Sequence, residues 1–140
     1  MNDLFLISEG SIENIQEIYT MEKLNFKDEA WTLKMFEFEL SKSEISRSLI
    51  IQENTFILGY CIFRLFAKEC QVLNFGVLPK RQQEGIGDIL LNEILKNLTR
   101  NSSVSLEVKK SNFPAVNLYR KHGFNIFGIR KNYYKDGASA

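Results

Sequence analysis

At 140 residues the chain is long enough to bury about two thirds of its unfolded surface in one domain, and its 44% hydrophobic and 12% aromatic residues can fill a core. A formal net charge of +1 leaves too little excess to argue for nucleic acid as a ligand. No run of about 18 apolar residues is present for a membrane span, and the start MNDLFLISEGSIENI carries acids rather than a basic leader; we expect a cytoplasmic protein with no membrane partner. Cys61 and Cys70 are too few for a disulfide framework, and with His122 as the only histidine no metal site is expected.

The small net charge hides an asymmetry. Residues 1–60 hold five Lys and Arg against eleven Asp and Glu, whereas residues 101–140 hold seven against two. A basic C-terminal part suits a polyanionic ligand and an acidic N-terminal part a basic partner, although solvated surface charge accounts for such a split equally well.

In chain order, Leu4 to Ser8 has the pattern of a first strand. Ser11 can cap a helix running to about Leu24, with Ile12, Ile15, Ile18, Tyr19 and Met21 on its apolar side. Asn25 to Trp31 reads as a loop. Thr32 then caps a second helix on which Leu33, Phe36 and Leu40 share a face. Ser48 to Gln52 and Phe56 to Phe63 form a hairpin turned at Glu53-Asn54, which feeds a central strand through Ala67-Lys68-Glu69.

That central strand, Val72 to Leu78, is a dense apolar run suited to cover on both faces, closed by Pro79. Gly76 interrupts it, which predicts a bulge or a close approach by another group. Ile86, Ile89, Leu90, Ile94, Leu95 and Leu98 then recur at helical spacing. Between strand and helix lies Gln82-Gln83-Glu84-Gly85-Ile86-Gly87. Unpaired N–H groups at a helix start, with the positive end of its dipole and two residues lacking Cβ, make an anion site, although two glycines alone also serve a sharp turn.

After Asn101-Ser102, Ser103 to Val108 alternates as a strand and is expected parallel beside the central one, joined by a right-handed crossover. Glu107 then falls near the C-terminal end of parallel strands, where open α/β sheets place ligands. A helix from Asn112 to Lys121 with Gly123 as its cap, and a strand from Phe124 to Ile129, complete the pattern.

The spacing Gln-x-x-Gly-x-Gly after a buried strand and Pro79 is neither a P-loop nor a dinucleotide fingerprint. It resembles the acetyl-coenzyme A signature of the GCN5-related N-acetyltransferase (GNAT) superfamily. LEVKKSNFPAVNLYRKHGF followed by GIRKNYY and Asp136-Gly137, together with Glu22, Phe26, Trp31, Phe36, Glu39 and Leu40, is similar to the RimI-type ribosomal-protein-alanine N-acetyltransferases. The likeness runs over roughly Leu4 to Gly137.

The resemblance implies a mixed α/β fold, a central splayed sheet flanked by helices, as a single N-acetyltransferase domain over residues 1–140. It also implies acetyl-CoA as co-substrate and a protein N-terminus, that of a ribosomal protein, as acceptor. Carried over residue by residue, Glu107 is the general base and Tyr119 the general acid. The pyrophosphate loop becomes Gln82, Gln83, Glu84, Gly85, Ile86 and Gly87, with Asp88 beside it. Asn112, Tyr119 and Lys121 are further coenzyme contacts, and Phe75, Gly76 and Val77 form a bulged segment that holds the pantetheine and polarises the thioester. The acceptor enters between Glu22, Phe26 and Trp31 on one side and Tyr133 and Tyr134 on the other.

The chemistry agrees with these roles. Acyl transfer from a thioester to an amine needs an acceptor for the amine proton and a donor for the departing thiolate, which a carboxylate and a phenol supply. An α-amino group, with a pKa of about 7.7 to 8.0, is far more often neutral at pH 7 than lysine at about 10.4, so a modest base suffices. The family pattern departs in two places. Gln83-Glu84 stands where basic residues are common, and the usual final strand has no counterpart before Ala140, which predicts a monomer with a rearranged edge or a strand-swapped dimer. Small-amine or lysine acetylation on the same fold, or a silent coenzyme A-binding module, are the alternatives.

Overall fold

A computed structural model describes residues 5–41, 44–99, 101–109 and 111–126. By its internal contacts the chain divides into two compact units, Met1–Ser105 and Leu106–Ala140.

The first unit is a five-stranded sheet in the order β1 (Phe5–Glu9), β2 (Ser46–Glu53), β3 (Phe56–Phe66), β4 (Glu69–Val77), β5 (Ser103–Ser105). The first three pairings are antiparallel and the last is parallel, as the strand–helix–strand pattern requires. Asn54 and Ala67 take positive φ, 57° and 54°, at the two hairpin turns that join β2, β3 and β4. α1 (Ile15–Phe26) follows a single 3-10 turn in which the Ser11 N–H donates to Asn14 Oδ1 at 2.8 Å. α2 (Leu33–Leu40) starts where Thr32 accepts from the Met35 N–H. α1 and α2 cover one face of the sheet: Ile18 and Phe36 pack with Ile50, Tyr60 and Ile62 in one buried cluster. α3 (Ile86–Lys96) lies on the opposite face, where Ile86 sits against Gly59 of β3, and Leu90, Leu91 and Ile94 are buried along the same helix.

Three expectations need correction. α1 continues through Asn25 and Phe26, and Lys27–Glu29 form a 3-10 turn, so the expected loop shrinks to its last residues. The bulge is not at Phe75 to Val77. Those residues pair regularly with Cys61, Tyr60 and Gly59, and the register shifts instead between Ile62 and Phe63, leaving Leu73 as the extra residue of β4. Lastly, of the strand expected over Ser103 to Val108 only Ser103–Ser105 is strand, paired with Glu69 to Gln71 of β4, while β4 runs on to Val77. The alternating exposure nevertheless persists through Val108.

In the second unit, α4 (Phe113–Lys121) begins where Asn112 Oδ1 accepts from the Ala115 N–H at 3.3 Å, with Pro114 in the first turn. It ends at Gly123, whose φ of 93° suits a helix stop. Phe124, Asn125 and Ile126 form no strand, and the remainder of the strand expected there lies outside the described residues. No helix among the described residues is long and apolar enough to cross a membrane.

Candidate active site

β4 delivers the chain to the start of α3 through a tight loop. The Leu78 N–H donates to Leu58 O at 2.8 Å, Pro79–Arg81 form a 3-10 turn, and the backbone then takes positive φ at Gln83 (66°) and Gly85 (83°) before α3 begins. Gly85 is the cap residue, and having no side chain it makes no cap bond of its own. The first N–H groups of α3 therefore have no intrahelical partner and face outward with the positive end of the dipole. A Cβ at Gly85 would have no atom within 4 Å, so the space over the cap is open and the glycine is needed for its backbone angle. The Gln82 side chain braces the loop, its Nε2 donating to Val77 O and to Asn25 Oδ1, each at 3.2 Å. A glycine-turned helix start of this kind is where main-chain donors can meet an anion.

On the other side of β4, the carboxylate of Glu22 is 1% exposed and accepts three hydrogen bonds. Trp31 N–H (2.9 Å) and Asn74 Nδ2 (2.9 Å) donate to Oε2, and Tyr60 Oη (2.6 Å) donates to Oε1. Burial pushes the Glu22 carboxyl up from its ordinary value, and the bonds from Trp31, Tyr60 and Asn74 pull it back in part. Burial and the adjacent carboxylate raise the Tyr60 phenol, which keeps it a donor. Tyr60 pairs with Gly76 across the ladder, and a Cβ at Gly76 would stand 2.5 Å from Tyr60 Cζ. The glycine in the central strand is thus a close approach, made by a ring from within the fold.

Glu22 and Trp31, both expected on the acceptor side, are brought together by this bond. The Trp31 ring packs on Phe36, with centroids 5.1 Å apart, and half-buried Phe26 ends α1. Tyr133 and Tyr134 lie outside the described residues. Glu107, Asn112, Tyr119 and Lys121 belong to the second unit. Glu107 is exposed, Tyr119 is 8% exposed with its ring edge-on to Phe124 at 5.6 Å, and Lys121 is exposed at the end of α4. Tyr60, Asn74 and Asn25 escaped the sequence reading. The only signal was the glycine at 76, because a pairing between positions 60 and 76 is visible only once register is known. Cys61 and Cys70 are buried free thiols, the second pushed up to about 11 by desolvation. Among the described residues no cluster of His, Cys, Asp or Glu could hold a metal.

Over residues 12–124 this mixed sheet, with a glycine-turned helix start following its fourth strand, matches the acetyltransferase (GNAT) family, to which the chain belongs. It is an N-acetyltransferase of that family. A Bacillus subtilis (strain 168) protein named provisionally as a ribosomal protein bS18-alanine N-acetyltransferase is 32% identical over 127 residues, 89% of this chain and 83% of its own. Among solved structures, the ribosomal-protein-S18-alanine N-acetyltransferase of Escherichia coli superposes with a TM-score of 0.85 at 28% identity, covering 96% of this chain and 88% of its own. The PaiA N-acetyltransferase of Thermoplasma acidophilum, solved in complex with coenzyme A, shares the fold at a TM-score of 0.76 and 16% identity, over 99% and 97% of the two chains.

Proposed function

We propose that this acetyltransferase moves the acetyl group of acetyl-CoA onto the N-terminal α-amino group of a protein, a ribosomal protein being the favoured acceptor, and that residues 1–140 act as one cytoplasmic catalytic domain. The observation that carries this reading is the nearly full-length similarity to the B. subtilis protein provisionally named a bS18-alanine N-acetyltransferase. The glycine-turned start of α3 supports it on the coenzyme side, since main-chain N–H groups at a helix start would take the diphosphate.

In the reaction the α-amine nitrogen attacks the thioester carbonyl carbon. The carbon–nitrogen bond forms as the carbon–sulfur bond breaks. Glu107 accepts the amine proton, directly or through a water, and the Tyr119 hydroxyl protonates the departing thiolate; a positioned acid or base of this kind contributes about 10²- to 10⁴-fold. A neutral amine is required, and an N-terminus supplies it at neutral pH far better than lysine does.

Intact-mass analysis of an N-terminal bS18 peptide incubated with acetyl-CoA and the protein tests the reading. One acetyl group mapped to the α-amine is expected, and Glu107→Gln is expected to lower kcat about 10²-fold or more with coenzyme affinity little changed. Acetylation confined to lysine or to a small polyamine would replace the protein N-terminus as acceptor, and coenzyme binding without transfer would remove the catalytic reading.

A further inference from the structure

The loop at the start of α3 carries an acid in an awkward place. Glu84 directly precedes the cap residue Gly85, so an acid enters the turn at the helix end that would receive a diphosphate. Left to itself, such a carboxylate both occupies the positive end of the dipole and repels an incoming dianion.

Arg81 deals with this acid. Its Nε donates to both carboxylate oxygens of Glu84, at 2.9 and 3.0 Å, closing the turn across Gln82 and Gln83. Its Nη1 donates to Glu53 Oε1 at 3.0 Å, which ties the loop to the end of β2. The Arg81 side chain is only 27% exposed, less than the 44% of Glu84, and its fork is committed on two sides. A planar, always charged group is the one side chain that can hold two carboxylates in this way. The left-handed backbone at Gln83, costly for a residue with a Cβ, lies inside the ring that the Arg81–Glu84 pair closes.

We propose that Arg81 is a positioning residue for the coenzyme loop: by pairing with Glu84 it holds that carboxylate away from the start of α3 and offsets part of its charge, so that the diphosphate of the coenzyme is admitted to the main-chain donors. This rests on the reading of the loop as the diphosphate seat. It goes beyond that reading by explaining how a loop with an acid, where basic residues would be expected, still accepts an anion.

The test is calorimetric titration of the full-length protein with coenzyme A at low and at high salt. Arg81→Ala is expected to weaken binding about fivefold at low salt, and by less as ionic strength rises, because the lost term is charge repulsion. Glu84→Gln alone is expected to bind about twofold more tightly, and the double variant Arg81→Ala, Glu84→Gln to regain most of what Arg81→Ala loses. Arg81→Lys, which keeps the charge but not the fork that holds both carboxylates, is expected to fall between the wild type and Arg81→Ala. Far-ultraviolet circular dichroism verifies that each variant folds, and the partly exposed position of the pair makes unfolding an unimportant risk. Wild-type affinity in Arg81→Ala would overturn the role of Arg81 alone. So would a double variant no tighter than Arg81→Ala, or a loss that salt does not diminish. A wild type that fails to bind coenzyme A would overturn the reading of the loop, and the role of Arg81 with it.

Discussion

The two regions flanking β4 handle negative charge in opposite ways. Glu22 is enclosed and its carboxylate is met by three protein donors from positions 31, 60 and 74. At the start of α3 the cap residue is a glycine with no side chain to offer, and the preceding acid, Glu84, is paired with Arg81. The first region is complete without a ligand and holds the fold together. The second is the proposed seat of the coenzyme diphosphate. A buried carboxylate whose donors all come from the same fold, as at Glu22, marks structure.

The largest effect expected from this contrast is on stability. Glu22→Ala leaves the Trp31 N–H, the Tyr60 hydroxyl and the Asn74 amide without their acceptor, and each unmet buried donor costs about 1 to 3 kcal/mol. Allowing for partial rehydration, urea denaturation should show a loss of about 3 to 5 kcal/mol. A loss below about 1 kcal/mol would mean that the carboxylate is not the hub its geometry describes.

Much of the fold was legible from residue patterns. The four helices and the first four strands stand where period and capping residues put them, because those signals are local: Ser11, Thr32 and Asn112 occupy the turns that open their helices, and the apolar spacing after Ile86 is a plain helical stripe. What was not legible depends on contacts far apart in sequence. Asn25 and Phe26 read as loop yet remain helical, since Gln82 reaches Asn25 from 57 residues away. Glu22 reads as one more acid of an acidic N-terminal half, and nothing local announces that donors from two strands and a loop converge on it. Gly76 signalled a close approach without saying to what. Of the candidate site, the coenzyme loop was readable because a glycine turn between strand and helix is itself a local motif, whereas Arg81 looked like one more surface charge.

The same contrast can be sharpened by pH. Burial raises the Glu22 carboxyl above its ordinary 4.5. A group that holds its proton more tightly in the folded state contributes stability that is fully present below the unfolded value and is lost as pH rises through the folded one. The stability of the wild type relative to Glu22→Gln should therefore fall as pH climbs from about 4.5 and level off once Glu22 is ionised in the folded protein. Urea midpoints of both proteins across this range measure the difference directly, and a constant difference from about pH 4 to about pH 7 would show that Glu22 titrates as it does in the unfolded chain.

The smallest effects separate the two glycines at the ends of this comparison. At Gly76 the backbone is ordinary strand and the obstacle is space: a Cβ would collide with the Tyr60 ring, whose hydroxyl is itself held by Glu22. At Gly85 space is open and the obstacle is the backbone, with φ at 83°. Gly76→Ala should cost about 1 to 3 kcal/mol by overpacking, and it should disturb the Glu22 network because the ring must shift. Gly85→Ala should cost about 1 to 2 kcal/mol as left-handed strain, with the Glu22 network untouched. Combining each with Tyr60→Phe distinguishes them. The change at Gly76 should be non-additive with loss of the Tyr60 hydroxyl, since both act on one contact, while the change at Gly85 should add to it within about 0.5 kcal/mol. Coupling of Gly85→Ala to Tyr60→Phe would show instead that the coenzyme loop and the buried carboxylate form a single cooperative unit, linked through Gln82 and Asn25, and the division between a finished region and a waiting one would fail.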